Sequence, residues 1–386
     1  MSLADFFKNL GELMKAKGSL AVCFAVIPGI CILLGSAERM KAQGEGATGN
    51  PAQMQAAEQK FKNIQVLKGI PADQLVPSMQ FIAASLGVDC EFCHMENAKE
   101  KDDKKEKKTA REMIAMMMAI NKSNFSGERE VTCYTCHHGS AHPVGTPILS
   151  TDSRPAMHTH EKEEAQPALP AAEAILGKYL TAVGGADALQ KIKTRVQKGT
   201  IEAFGDKYPI DIYSIGPDKR VSVSHPSGGA SVTAYNGEAG WLSLPHGFHQ
   251  MTTAEQQAAS IDAQLYFPAR LPELYQDFRV GPGEAVDGRE TYLVIAKGKN
   301  LPPLRLYFDQ ESGLLLRLVR YAETPLGNNP TQIDYAEYRA TDGVKIPYRW
   351  TLARPNGRFT IQVDDVKQNA PVDEKLFVMP IGSPGK

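Results

Sequence analysis

The sequence predicts an α+β protein of two domains, a mainly helical module followed by an antiparallel β domain that carries a few helices. Three observations predict it. All six cysteines lie at or before residue 136 of 386, and the last 250 residues have none. Apolar residues recur at helical spacing up to about residue 142, then mostly every second position beyond Thr200. Between the two runs a stretch without apolar period, residues 143–170, rich in Pro, Ser, Thr and His, reads as a linker. A chain of this length with 42% apolar residues has material for two cores. Its net charge of −1 points away from nucleic acid as a partner.

The N-terminal segment comes first. Lys8, Lys15 and Lys17 precede an uncharged run from Leu20 to Leu34, and Gly35-Ser36-Ala37 offers small residues for cleavage after Ala37. Residues 1–37 therefore read as an export signal or, uncleaved, as an anchor in the inner membrane. The run is shorter than the ~20 residues a spanning helix wants, and Pro28-Gly29 interrupts it. Cys23 and Cys31 lack the small preceding residue of a lipidation site. A periplasmic location is expected. Residues 38–60, rich in Gly, Ala and Gln, read as a spacer.

The helical module spans residues 61–142 and holds the chemistry. VDCEFCH (Val88–His94) and VTCYTCHHG (131–139) share a Cys-x-x-Cys-His core. That pattern is the attachment signal for c-type haem. Two cysteines on one turn, Cys90 with Cys93 and Cys133 with Cys136, can each form a thioether with a haem vinyl group. The histidine directly after them, His94 or His137, then lies under the iron as an axial ligand. His138 is one residue too far. A Cys₄ zinc site or a thioredoxin-like pair would also use such cysteines, but neither needs the histidine. Two covalently bound haem c groups are expected.

An iron that only transfers electrons takes a sixth ligand, commonly Met or His. Pro77 suits the first position of a helix, which places Met79 in its first turn. Ile82, Ala83 and Leu86 continue the face and Gly87 ends it. Thr109-Ala110-Arg111-Glu112 has the form of a capping box, placing Met113 at the end of a second first turn. Met79 and Met113 are the expected distal ligands, with Met116, Met117 and His142 as rivals at the second iron. KEKDDKKEKK (Lys99–Lys108) reads as a solvated loop into the second helix, or as a docking patch for an acidic redox partner.

The β domain is residues 171–386. Ile175, Leu176, Tyr179, Leu180 and Val183 form a helical face ended by Gly184-Gly185, and Thr253 with Gln256 can cap a helix over 254–265. Alternation marks strands at 304–309 and 359–364, with turn signals at Ser312-Gly313, Asp342-Gly343 and Asn356-Gly357.

SMQFIAASLGVDCEFCH and TAREMIAMMMAIN…VTCYTCHHG resemble the cytochrome c subunit of photosynthetic reaction centres over about residues 60–145. In that family a Met-bearing helix precedes each haem motif, and the subunit supplies electrons to the photo-oxidised pigment. The resemblance implies His94 and His137 as proximal ligands, Met79 and Met113 as distal ones, and an electron carrier rather than an enzyme. The family's full subunit has four haem motifs and this chain two. The redox partner is then a reaction centre or a respiratory complex. The alternatives are a respiratory electron relay unrelated to photosynthesis and a periplasmic lipid- or lipoprotein-binding protein with an accessory haem module; a haem peroxidase, which needs an open iron, ranks below them. More faintly, the second half resembles the half-barrels of periplasmic lipoprotein and lipid carriers, which implies a lipid or lipoprotein at the β domain.

Overall fold

The computed structural model describes residues 55–143, 169–245, 247–355 and 357–380. The expected export segment, most of the spacer and residues 144–168 of the linker lie outside the described residues. Residues 51–386 belong to one compact unit. Among the described residues no helix is long and apolar enough to cross a membrane.

The helical part contains α1 (Ala57–Lys60), α2 (Ala72–Leu86), α3 (Lys105–Asn124) and α4 (Cys133–His137). The second part opens with α5 (Ala172–Ala182) and α6 (Ala186–Gln190). A first meander follows: β1 (Thr194–Ala203), β2 (Asp206–Ile215), β3 (Lys219–Ser224), β4 (Ser231–Tyr235), β5 (Gly240–Leu244) and β6 (Gly247–Gln250). Then come α7 (Thr253–Asp262) and α8 (Phe267–Leu274). The second meander is β7 (Asp277–Pro282), β8 (Thr291–Lys297), β9 (Leu304–Asp309), β10 (Leu315–Thr324), β11 (Gly327–Thr341), β12 (Val344–Arg354) and β13 (Gly357–Gln368).

Among the described residues, thirteen strands form one antiparallel sheet in the order β6-β5-β4-β3-β2-β1-β13-β12-β11-β10-β9-β8-β7. The chain enters at the middle, runs out to one edge, crosses by α7 and α8 to the other, and returns until β13 pairs with β1. The α+β class is borne out. Alternation places Leu304, Leu306 and Phe308 at zero exposure in the main core. Tyr307, between them, is buried on the opposite face with Val286, Leu316 and Val319, so the sheet is covered on both sides there. Asp342 (φ 49°) and Gly343 (φ 81°) make the left-handed two-residue hairpin turn that their sequence signals.

The crossing helices and α5 supply the other half of the core through Ile175, Tyr179, Ile261 and Leu271. The cap of α7 differs by one residue from expectation. Thr252 is the N-cap: its hydroxyl accepts from Glu255 N–H (3.3 Å), and the Glu255 carboxylate accepts from Thr252 N–H (2.8 Å). The charged Glu255 outcompetes Gln256, being the stronger acceptor.

The tip of the β10–β11 hairpin is built into the helical core. Leu326, 1% exposed, packs with Leu75, Phe81, Ile82, Ile114 and Met117. Thr324 Oγ1 accepts from the N–H groups of Leu326 (3.2 Å) and Gly327 (3.1 Å), which shapes the turn. Asn329 Nδ2 donates to Pro77 O at 2.8 Å, and Arg129 donates to Thr324 O. A Cβ at Gly327 would strike the Phe81 ring. Leu326→Ala removes the side chain that fills this junction and should cost about 2–5 kcal/mol. Equilibrium urea denaturation, read at the haem absorbance and by circular dichroism, checks the expected fall in midpoint.

Candidate haem-binding sites

The C-terminus of α2 positions the first motif. Gly87 takes the left-handed conformation (φ 65°), and Val88 N–H closes back on Ala83 C=O at 3.0 Å. Asp89 Oδ1 then accepts from Phe92 N–H (3.0 Å), capping a 3₁₀ turn over Cys90–Phe92. His94 N–H donates to Cys90 O at 3.0 Å, so Cys90, Cys93 and His94 share one turn. The His94 ring is oriented from behind: its Nδ1 lies 2.9 Å from Lys99 O. Burial holds the His94 pKa below its ordinary value, the Lys99 hydrogen bond opposing, which favours the neutral ring that a metal requires.

The loop carrying Lys99 is pinned from within. Lys107 is buried, and its Nζ donates to Lys99 O (2.8 Å) and Lys101 O (2.7 Å). Asp102 pairs with Lys107 (3.2 Å) and Arg111 (2.9 Å), and Asn63 Nδ2 also donates to it (3.0 Å). The Arg111 hydrogen bond chiefly holds the Asp102 carboxyl well below the usual carboxylate range. The expected solvated loop is thus corrected at Lys107, which turns inward because the carbonyls of a tight loop need a donor. Helix α3 also starts at Lys105, inside the charged run.

The second motif is a five-residue helix, α4. Thr132 and Thr135 form its reciprocal cap, with Thr132 N–H donating to Thr135 Oγ1 at 3.0 Å. Buried Asn121 of α3 both donates to Val131 O (2.7 Å) and accepts from Val131 N–H (2.9 Å), like a strand neighbour. His137 Nδ1 lies 2.9 Å from Ser140 O. Each motif histidine therefore has Nδ1 committed to a carbonyl a few residues onward, leaving Nε2 as the coordinating atom. His138 differs. It is the left-handed C-cap (φ 48°), exposed, with its ring edge-on to Tyr134 at 5.4 Å. His142 is exposed and contributes its backbone carbonyl to Ser140 Oγ at 3.0 Å.

Both methionine helices begin earlier than expected. Helix α2 starts at Ala72 with Pro71 as N-cap, and Pro77 lies inside it. Thr109 lies inside α3, and the capping box is not formed there. In α2 the local signal lost to a longer apolar face: Ala72 and Leu75 are buried upstream of Pro77. Met79 and Met113 are accordingly in mid-helix, the eighth residue of α2 and the ninth of α3, rather than in first turns. Met79 is half-buried beside the helical core, whereas Met113 is 39% and Met116 49% exposed. Met117 is 7% exposed in the core, with Asn121 Nδ2 at 3.6 Å from its sulfur, which removes it from the available donors. Met113 and Met116 stand about 60° apart around the helix, on a face distinct from the buried Ile114–Met117–Asn121 stripe.

The residues present suit haem attachment. All four motif cysteines are free. Burial pushes the Cys93 and Cys133 thiols up, opposite to the shift a thioredoxin-like pair needs. Among the described residues no three His, Cys, Asp or Glu side chains gather as a metal cluster, so the two pairs do not converge into a Cys₄ site. Exposed large apolar side chains also concentrate here, Val76, Met113, Met116 and Tyr134 among them, giving surface for a flat apolar group to cover.

These features resemble the parts of a c-type cytochrome module. The family model for the photosynthetic reaction centre cytochrome C subunit matches residues 35–177, which bears out the resemblance read from the two motifs. The photosynthetic reaction center cytochrome c subunit of Rubrivivax gelatinosus is 32% identical over 93 residues, 22% of this chain and 25% of that protein. Cytochrome c-554 of Chloroflexus aurantiacus is 33% identical over 85 residues, 20% of each. The subunit of Thermochromatium tepidum is 31% identical over 114 residues, 28% of each. The chain thus spans between a fifth and just over a quarter of these relatives' length. Among solved structures, a LolA superfamily protein from Nitrosomonas europaea aligns at 15% identity and a TM-score of 0.38, over 55% of this chain and 99% of that one. A DUF1329 family protein from Desulfovibrio piger aligns at 14% and 0.38, over 53% and 96%.

Sequence reasoning missed Asn121, Lys107 and Asp102, which hold the two turns. Their only signal was a polar residue on an otherwise apolar helical face, visible for Asn121 and hidden within the charge run for the others. His138→Ala should keep a low-spin visible spectrum, because its ring has no backbone anchor, whereas His137→Ala should lose it.

Proposed function

We propose that the protein is a dihaem c-type electron carrier, exported to the periplasm by residues 1–37, with residues 61–142 as its redox domain and 171–386 as a β domain packed against it. Cys90 and Cys93 attach one haem, Cys133 and Cys136 the other. His94 and His137 supply the proximal nitrogen, and Met79 and Met113 the distal sulfur. Bound haem supplies a one-electron ferric/ferrous couple. The observation that carries this reading is the anchoring of both motif histidines through Nδ1 (2.9 Å each), while His138, next in sequence, has no such anchor.

The protein's own residues then do three things. The Lys99 and Ser140 carbonyls orient each imidazole through its Nδ1, which raises the basicity of Nε2 toward iron. The thioether sulfurs favour the ferrous state relative to bis-His ligation. With a histidine and a methionine committed to each iron, no position would be left for substrate, which suits relay rather than peroxidase chemistry. The partner that this module serves is a reaction centre or a respiratory complex, and the likeness to reaction-centre subunits supports the first.

Intact mass after acid denaturation should exceed the mature polypeptide by two haems, and a bare polypeptide mass would overturn the reading. Met79→His and Met113→His should each lower one midpoint potential and leave the other nearly unchanged in a spectroelectrochemical titration. A Met113→His variant with both potentials intact would transfer the second site to Met116 or His142. The reduced wild type should show no spectral shift with carbon monoxide.

A further inference from the structure

A cavity of about 510 Å³ lies far along the chain from the haem motifs, between one face of the sheet and the crossing helices. That volume falls in the range of small-molecule sites. Much of its wall is aliphatic or aromatic: Ile201, Ile212 and Ile361 from the strands, Leu265 and Phe267 from the helical side. Apolar lining by itself is ordinary core. The charges are not.

Arg195, Arg220, Lys345 and Arg354 line the cavity, against one carboxylate, Asp262. That carboxylate is already taken: both its oxygens accept from buried Arg320, at 2.5 and 2.8 Å. Arg195 and Arg220 stand in one lateral row of the sheet, since Arg195 pairs with Ser214 and Ser214 with Arg220. They are thus two strands apart, about 10 Å between backbones, and the sheet's pleat aims them to the same side. Among the described residues neither has a carboxylate within 4 Å. Arg195 has only long contacts to Gln368 Oε1 (3.3 and 3.4 Å), and Arg220 donates to the Asp262 backbone carbonyl (3.1 Å). Burial, with Arg220 nearby, pulls the Arg195 pKa down to about 10, so Arg195 remains cationic at neutral pH. Both are half-buried, and Arg220 also lies over the Trp350 ring at 5.8 Å; partly buried charge with no carboxylate in contact is a natural place for an anion to bind.

We propose that this cavity binds a single-chain amphiphile with an anionic head group, its acyl chain along the aliphatic wall and its head against Arg195 and Arg220. A fatty-acid carboxylate and a lysophospholipid phosphate share that chemistry. Each can accept from a guanidinium in the forked geometry that makes such pairs strong.

The test uses the full-length, delipidated holoprotein titrated with cis-parinaric acid below its micellar concentration. Oleate, 1-oleoyl lysophosphatidate and oleyl alcohol then compete for the probe. At least one of the two anionic competitors should act at roughly tenfold lower concentration than the alcohol, the scale of a single charge-assisted bond. Which of the two is stronger identifies the head group. Arg195→Gln with Arg220→Gln should erase the preference while the haem spectrum is retained. Trp350 lines the cavity, and the protein's other tryptophan, Trp241, is buried in a different cluster. Oleate should therefore change tryptophan emission in the wild type and in Trp241→Phe, but not in Trp350→Phe, which locates the ligand even if the arginine variants do not fold. Equal competition by oleyl alcohol, displacement by inorganic phosphate alone, absence of probe binding, or a Trp350-independent response would each overturn the proposal.

Discussion

Both haem motifs are referenced to one helix end. Gly87 closes α2 in the left-handed conformation and turns the chain into the first Cys-x-x-Cys-His three residues later. The same last turn receives the second motif: Gly139 N–H donates to Ser85 O at 2.9 Å, and any Cβ on Gly87 would strike the Gly139 carbonyl. Two requirements thus meet at residue 87, a positive φ and bare backbone surface, and only glycine satisfies both. Ser85 is itself buried, its hydroxyl donating to Phe81 O (2.7 Å), so the carbonyl that receives Gly139 sits on a closed, fully bonded turn. The relative placement of the two attachment turns is set here, before any cofactor is considered.

What could be read in advance follows from which signals are local. The Cys-x-x-Cys-His turns, the stop at Gly87 and the hairpin at Asp342-Gly343 depend on neighbours within a few residues, and all were legible. Helix starts were not. Pro77 and the Thr109 box are good first-turn signals, yet both lie inside longer helices: apolar burial at Ala72 and Leu75 extends one, and the inward-turned Lys107 lies in the added turn of the other. Pro77 forgoes a helical donor, and its carbonyl gains Asn329 from a strand 252 residues away. No local window contains that partner. The same holds for Lys107, whose burial depends on how the loop at 99–102 closes around it.

The sheet was legible as alternation but not as topology. Nothing near Thr194 announces that its strand will pair with the chain's last one, or that α7 and α8 will carry the chain from edge to edge. That crossing creates the cavity. It lays Asp262 at the end of α7 beside Arg320 of β10, and so leaves the arginines of β1 and β3 without a carboxylate of their own. A row of two arginines on alternate strands is invisible until β1, β2 and β3 are in register, because the residues are 25 apart in sequence with a serine between them in space.

Strand β11 belongs to both halves. Its first residues, Gly327 and Asn329, touch α2, and the turn before it inserts Leu326 among Phe81, Ile82 and Met117. Further along, Ile333 and Tyr335 face the cavity. The β10–β11 register is fixed by a two-residue turn, with Thr324 opposite Gly327 and Leu318 opposite Ile333. Because side chains alternate between faces, a one-residue slip would withdraw Leu326 from the helical core and turn Tyr335 away from the cavity in the same step. Thr324 Oγ1, by bonding the N–H groups of both Leu326 and Gly327, holds that turn against such a slip. The arrangement of the haem-bearing helices on the sheet is therefore a matter of strand register, enforced along β11 by β10 on one side and β12 on the other.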